Sequence, residues 1–290
     1  MDKKYTVYSA GGWFVPRDDK ILTFIEDSLS SYEDIKVYRP RKDGVKLSAE
    51  DFHDHNLRKA VFQSNVENID YADFLVSLLD AGSERLDTGT VWETAYAVAK
   101  GIPVMAYQDD RLDSELINRL GFFHIYLSSL HTGRRGFRDA VTSMEHISNS
   151  MMRDSLVKID RSGKSPVFLC DSTGNHKELA VLLDTLPRLK VVVDPKNSKK
   201  ELKDIINAPY IIVPTDTKDS NLTFYMGMAY ALGTPLFTYS SSGAPLNLML
   251  IFSVVKHMMG LEDLSKTISK VNREGVKSFG EYDTSSMKVY

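Results

Sequence analysis

Apolar residues along the chain fall into short runs separated by stretches of helical period. Tyr5 to Ala10 (YTVYSA) alternates as a strand does. Asp19 to Tyr32 has apolar positions at Ile21, Phe24, Ile25 and Leu29, the spacing of an amphipathic helix. Ile35 to Arg39 reads as a second strand, and the polar Pro40 to Phe52 as a long loop. Asp51 to Ile69 reads as a helix with Phe52, Leu57, Ala60, Val61 and Val66 inward. Ala72 to Asp80 (ADFLVSLLD) is apolar enough for a buried strand. Val91 to Lys100 is Ala-rich and helical, and Gly101 with Pro103 ends it. Pro103 to Tyr107 and His124 to Leu127 read as further strands, and Leu112 to Leu120 and Gly136 to Leu156 as helices.

The polar stretch Val157 to Ser165 marks a boundary, and beyond it the pattern starts again. Strands are expected at Pro166 to Cys170, Lys190 to Asp194, Tyr210 to Asp216 and Pro235 to Tyr239. Helices are expected at His176 to Leu189, Lys199 to Ala208 and Phe224 to Leu232. Ala229-Tyr230-Ala231 answers Ala95-Tyr96-Ala97, and PLFTY answers PVMAY. This reads as an internal duplication within the α/β class. It predicts two tandem flavodoxin/Rossmann-like units with mostly parallel sheets, residues 1–157 and 158–290.

Composition narrows the partners. Of 290 residues 42% are hydrophobic, and the formal net charge is −3, so no global field favours nucleic acid. The adjacent Arg134 and Arg135 lack a basic surround and read as a solvated loop. Cys170, the single cysteine, lies in the apolar run PVFLC and reads as a core residue. The seven histidines are scattered, which predicts no metal site. No stretch has the length and apolarity of a signal peptide or a membrane span, so a cytoplasmic protein is expected.

Candidate chemistry gathers between Leu86 and Tyr107. Glu93 falls at the start of a helix, beside the C-terminal end of a strand, the edge where open α/β sheets bind ligands. Two readings stay open: a ligand-site carboxylate, or an acid that complements the helix dipole. Asp87 and Gly89 mark the preceding turn. Gly11-Gly12-Trp13-Phe14 follows the first strand, and its glycines allow a sharp turn or close approach to a ligand. The second half differs at these places: Gly227 or Tyr225, according to the alignment, stands where the first has Glu93. Asn247 follows a Gly/Pro-rich loop, where the plain reading is a helix cap. The chain ends in Val289-Tyr290.

These segments resemble the nucleoside 2-deoxyribosyltransferases. TVYSAGGWFVPR is similar to the family's opening strand and loop. Asp87 and Glu93 match its Asp-x5-Glu before an Ala-Tyr-Ala helix, Pro245 to Met249 its Pro-x-Asn-Leu-Met, and Val289-Tyr290 its C-terminus. The resemblance implies that Glu93 attacks C1′ of a deoxynucleoside and holds the sugar as an ester, which a second nucleobase displaces. It implies Tyr8 orienting Glu93, and Asp87 accepting from the 5′-hydroxyl. It places Gly12, Trp13 and Phe14 near the base, together with Asn65, where the family usually has an aspartate. An amide at that place cannot supply a proton to the leaving base. Asn247 and the Tyr290 carboxylate would complete the site, as a neighbouring subunit does in the family's oligomers. The chain would then be a fused pseudo-dimer with a degenerate second half, or share its site within a homo-oligomer. No cofactor is implied, the partners being a deoxynucleoside and a free nucleobase, with a place in purine or pyrimidine salvage. The rival readings are an N-glycoside hydrolase of deoxynucleosides or their 5′-monophosphates, and a non-catalytic nucleoside- or nucleotide-binding protein.

Overall fold

The structure is a computed structural model that describes residues 5–12, 15–48, 50–79, 86–107, 124–127, 160–162, 164–170, 176–186, 188–193, 204–205, 207–217, 219–280, 284 and 287. It divides into two compact units, Met1–Leu156 and Val157–Tyr290. The helices expected at 112–120 and 136–156, most of the one at 199–208, and Trp13, Phe14 and Tyr290 lie outside the described residues.

In the first unit, β1 (Tyr5–Ala10), β2 (Ile35–Tyr38), β3 (Phe74–Leu78), β4 (Val104–Tyr107) and β5 (His124–Leu127) form one parallel sheet. Their order is β2-β1-β3-β4-β5. Parallel neighbours need crossovers, which helices supply here: α1 (Pro16–Ser30), α3 (His55–Asp70) and α4 (Thr88–Lys100). The order reverses between β1 and β3, the kind of switch point at which doubly wound sheets bind ligands.

Strand alternation divides the two faces. Val7, Val37, Phe74, Val76 and Met105 pack in one cluster with Ile21, Leu22, Ile25 and Leu29 of α1. Tyr8 and Ser77 are one residue out of that phase and point to the opposite face. There Ser77 Oγ lies 2.6 Å from Thr94 Oγ1 of α4, and Phe62 of α3 meets Trp92 of α4 edge-on at 5.7 Å. The same alternation that fills the core therefore delivers Tyr8 to the side covered by α3 and α4.

The second unit holds β6 (Val167–Cys170), β7 (Lys190–Val193), β8 (Ile211–Pro214), β9 (Leu236–Ser240) and β10 (Lys256–Met259). All are parallel, in the order β10-β9-β8-β6-β7. Counted from its own first strand this is the same 2-1-3-4-5 order as the first unit. The helices α5 (His176–Thr185) and α8 (Gly260–Glu274) contribute Leu182, Leu264, Ile268 and Val271 to a core with Phe168, Cys170, Ile212 and Phe237. Helix α6 (Ser220–Ala231) follows β8 as α4 follows β3.

Several local features differ from the sequence expectation: α1, α3 and α6 start at Pro16, His55 and Ser220 and not at Asp19, Asp51 and Phe224, and four differences bear on the site or the core. Helix α4 starts at Thr88, not Val91, because the Asp87 carboxylate caps it by accepting from Thr90 N at 2.7 Å and Thr90 Oγ1 at 2.8 Å. Gly89 is thus inside the helix. The polar 40–52 stretch contains a helical turn, α2 (Pro40–Asp43). Helix α3 buries Arg58, Phe62, Asn65 and Ile69, while Leu57, Ala60, Val61 and Val66 are only partly covered. The stretch beyond Ile251, unassigned from sequence, supplies β10 and α8. Among the described residues no helix is long and apolar enough to cross a membrane.

Candidate functional site

The site begins with the start of α4. With Thr88 as its first residue, Glu93 falls in the second turn. The helix dipole acts mainly within the first turn, so dipole complementation does not explain a carboxylate there. Glu93 is also buried, at 6% exposure. Taking a carboxylate out of water is costly unless donors meet it. Two do: Tyr8 donates its phenol proton to Oε1 at 2.7 Å, and Asn65 donates from Nδ2 to the same oxygen at 3.3 Å. Among the described residues Oε2 receives no hydrogen bond.

Each partner is fixed in turn. The Tyr8 ring stacks on Tyr38, its register neighbour on β2, at 5.6 Å between centroids. The Tyr38 hydroxyl lies 3.2 Å from Ser64 Oγ, so α3 ties to β2 through Ser64 and to α4 through Asn65. Behind Glu93, Gly101 at φ 76° closes α4. Its N–H bonds Val98 O and that of Ile102 bonds Ala97 O, the paired bonds of a left-handed helix stop.

Burial pushes the Glu93 carboxyl up to about 8. The bond from Tyr8 opposes that rise, the negative Asp87 adds to it, and the bond from Asn65 again opposes it. Burial beside Glu93 raises the Tyr8 phenol well above its usual value, so it stays a donor at neutral pH. The Glu93 shift also bears on stability. Between its ordinary value of 4.5 and about 8 the folded state holds the proton that the unfolded chain has lost. The native state therefore loses stability as pH rises through that window.

Asp87 is half-buried at the mouth of the same helix, with both of its described bonds on Oδ2. Gly12 passes so close that a Cβ there would lie 3.0 Å from Asp87 Cβ. A side chain at residue 12 would press on Asp87, which accounts for a glycine at that place in the loop. The structure thus brings Tyr8, Asn65, Asp87, Glu93 and Gly12 to one region of the first unit. Trp13, Phe14 and Tyr290 lie outside the described residues. Asn247 caps α7 (Leu248–Phe252), accepting from Met249 N at 2.9 Å, which is the plain reading of that residue.

The second unit lacks the carboxylate. Asp219 caps α6 as Asp87 caps α4, accepting from Asn221 N and Leu222 N. Matching the two caps sets the buried Tyr225 against Glu93 and decides between the two sequence alignments. The corresponding loop after β9 is anchored by Asp216, which accepts from the backbone or hydroxyls of Ser240, Ser241 and Ser242. These bonds hold its carboxyl well below the usual range.

A doubly wound α/β unit with a buried, hydrogen-bonded carboxylate beside its switch point is the arrangement of a class: α/β proteins whose ligand sites lie at the carboxyl ends of the strands. A family model described as nucleoside 2-deoxyribosyltransferase matches residues 7–151, half of the chain, and the chain belongs to that family. Among solved structures, the 2-deoxyribosyltransferase of the psychrotolerant bacterium Bacillus psychrosaccharolyticus is 24% identical over 43% of this chain and 86% of that one, with a TM-score of 0.38. A conserved protein from Enterococcus faecalis V583 is 21% identical over 53% of this chain and 100% of that one, with a TM-score of 0.32. A comparison with curated proteins finds no match.

Proposed function

We propose that the protein transfers 2-deoxyribose between nucleobases through a covalent ester on Glu93. The ionised carboxylate attacks C1′, the C1′–N bond breaks, and its electron pair leaves with the first base, which takes up a proton from solvent. A nitrogen of the second base then attacks C1′ from the face the first base left, gives up its N–H proton to solvent and releases Glu93 as the carboxylate, so configuration is retained. The observation that carries this reading is the buried Glu93 with Oε1 held by Tyr8, inside the segment matched by the family model. A carboxylate excluded from water is a close anion for an oxocarbenium-like centre. Asp87, on this reading, accepts from the sugar 5′-hydroxyl, and its charge disfavours a 5′-phosphate.

Incubating a 2′-deoxynucleoside with a second free base tests this. The exchanged nucleoside should form faster than free deoxyribose, and a 5′-monophosphate should be the poorer substrate. Free sugar alone, or faster cleavage of the monophosphate, would favour the hydrolase.

The raised Glu93 carboxyl gives a pH prediction. The nucleophile must be ionised, so kcat/KM should climb about tenfold per pH unit below the midpoint. It should level off above about 8, the value to which burial pushes Glu93. Replacing Asp87 by Asn removes a like charge, and the midpoint should then move to lower pH. A profile flat from pH 6 to 9 in both proteins would contradict the assignment.

A further inference from the structure

Helix α3 buries Asn65 where hydrophobic periodicity would put Leu57 and Val61 inward. Burying an amide is costly unless it makes a bond that matters, and this one is spent on Glu93. The geometry is one-sided. Tyr8 from β1 and Asn65 from α3 both donate to Oε1, from two separate elements. An ionised carboxylate oxygen can only accept, so the amide nitrogen must be the group that faces it. Ser64, the neighbour of Asn65 in the chain, bonds the tyrosine on which Tyr8 stacks. One turn of α3 thus fixes both donors.

We infer that Asn65 is a positioning residue: with Tyr8 it pins Oε1 of Glu93 and leaves Oε2 as the oxygen that attacks the sugar. This rests on Glu93 being the nucleophile, and it goes beyond that by assigning Asn65 to the carboxylate and not to the nucleobase. Two donors from different directions stop the carboxylate from rotating about its last bond, so Oε2 keeps one orientation toward C1′. Asn65 also stabilises the charged form. The groups acting on that charge are Tyr8, Asp87 and Asn65 itself.

The test is the pH profile of kcat/KM for a deoxynucleoside in Asn65→Leu and Asn65→Asp, with Glu93→Gln alongside. Asn65→Leu keeps the branching of the side chain and loses the donor. Its midpoint should rise by about one pH unit, and activity at pH 7 should fall roughly tenfold, the scale of one lost bond to a charged group. KM and the ratio of rates for different bases should change less than about twofold, because ground-state contacts to the base are untouched. Asn65→Asp adds a like charge, so its midpoint should lie higher than that of Asn65→Leu. If the leucine variant does not fold, the aspartate variant, identical in shape to the native residue, carries the test. An unmoved midpoint in a variant that has merely slowed would assign Asn65 a structural role and overturn the inference. A changed base preference with an unmoved midpoint would make it a base contact and overturn it too. Both results are distinct from failure of the underlying reading, which would appear as an active Glu93→Gln.

Discussion

Glu93→Gln should lower the rate of base exchange by at least about a thousandfold, the scale of losing a covalent nucleophile. The amide keeps the shape of the carboxyl group and can still accept the bond from Tyr8, so nucleoside affinity should change little. Folding should not suffer, and here the shifted carboxyl provides a control. Burial pushes Glu93 up to about 8, so above that pH the native state carries an ionised group in a site that resists the charge. A neutral glutamine removes that penalty. At pH 9 the variant should therefore melt at a higher temperature than the parent while being inactive. Loss of activity together with loss of stability would point to a structural role instead.

Trp92→Ala should destabilise the first unit by about 3 to 5 kcal/mol. Trp92 is completely buried next to Glu93 in the chain. Its ring stacks on Tyr96 at 5.3 Å with planes 11° apart and receives the edge of Phe62 at 5.7 Å. Removing it leaves a cavity between α3 and α4 and deletes two aromatic pairs that add to plain burial. Calorimetry should show the melting temperature falling by about 10 °C. Because α3 and α4 carry Asn65 and Glu93, activity should fall well below the melting point as the two helices lose their register. A shift worth less than about 1 kcal/mol would mean that the aromatic cluster does not hold the helices together.

Much of the fold was legible because burial imposes a period. Runs such as YTVYSA, FLVSL and YIIVP announce strands, and Gly101 announces the end of α4 through the left-handed backbone it adopts. The start of α4 was less legible. Thr88, Gly89 and Thr90 are weak helix formers, and it is the Asp87 cap that makes them helical. The signal was available, since an aspartate just before a helix is a cap pattern, and reading it would have put Glu93 in the second turn. The inward face of α3 was only partly legible from hydrophobicity: Phe62 and Ile69 mark it, but at Asn65 the site overrides the core. Arg58 and Asn65 are buried at the expense of Leu57 and Val61, and the partner that makes Asn65 worth burying lies 28 residues away. In the second half, β10 and α8 had usable signals in Leu264, Ile268 and Val271 at helical spacing after Gly260. The chemistry of Tyr8 and Glu93 was legible only through the resemblance: an alternating strand tyrosine and an early helix glutamate are each ordinary features, and the 2.7 Å bond between them belongs to the tertiary structure.

The claim that Glu93 carries the sugar is tested most directly by mass spectrometry of the protein quenched in acid during turnover of a 2′-deoxynucleoside. The account predicts a peptide containing Glu93 that is heavier by one deoxyribosyl group, lost when a free base is added before the quench. No peptide from residues 157–290 should carry the sugar. Deoxyribose attached to any other residue, or full exchange activity with Glu93 never modified, would contradict it.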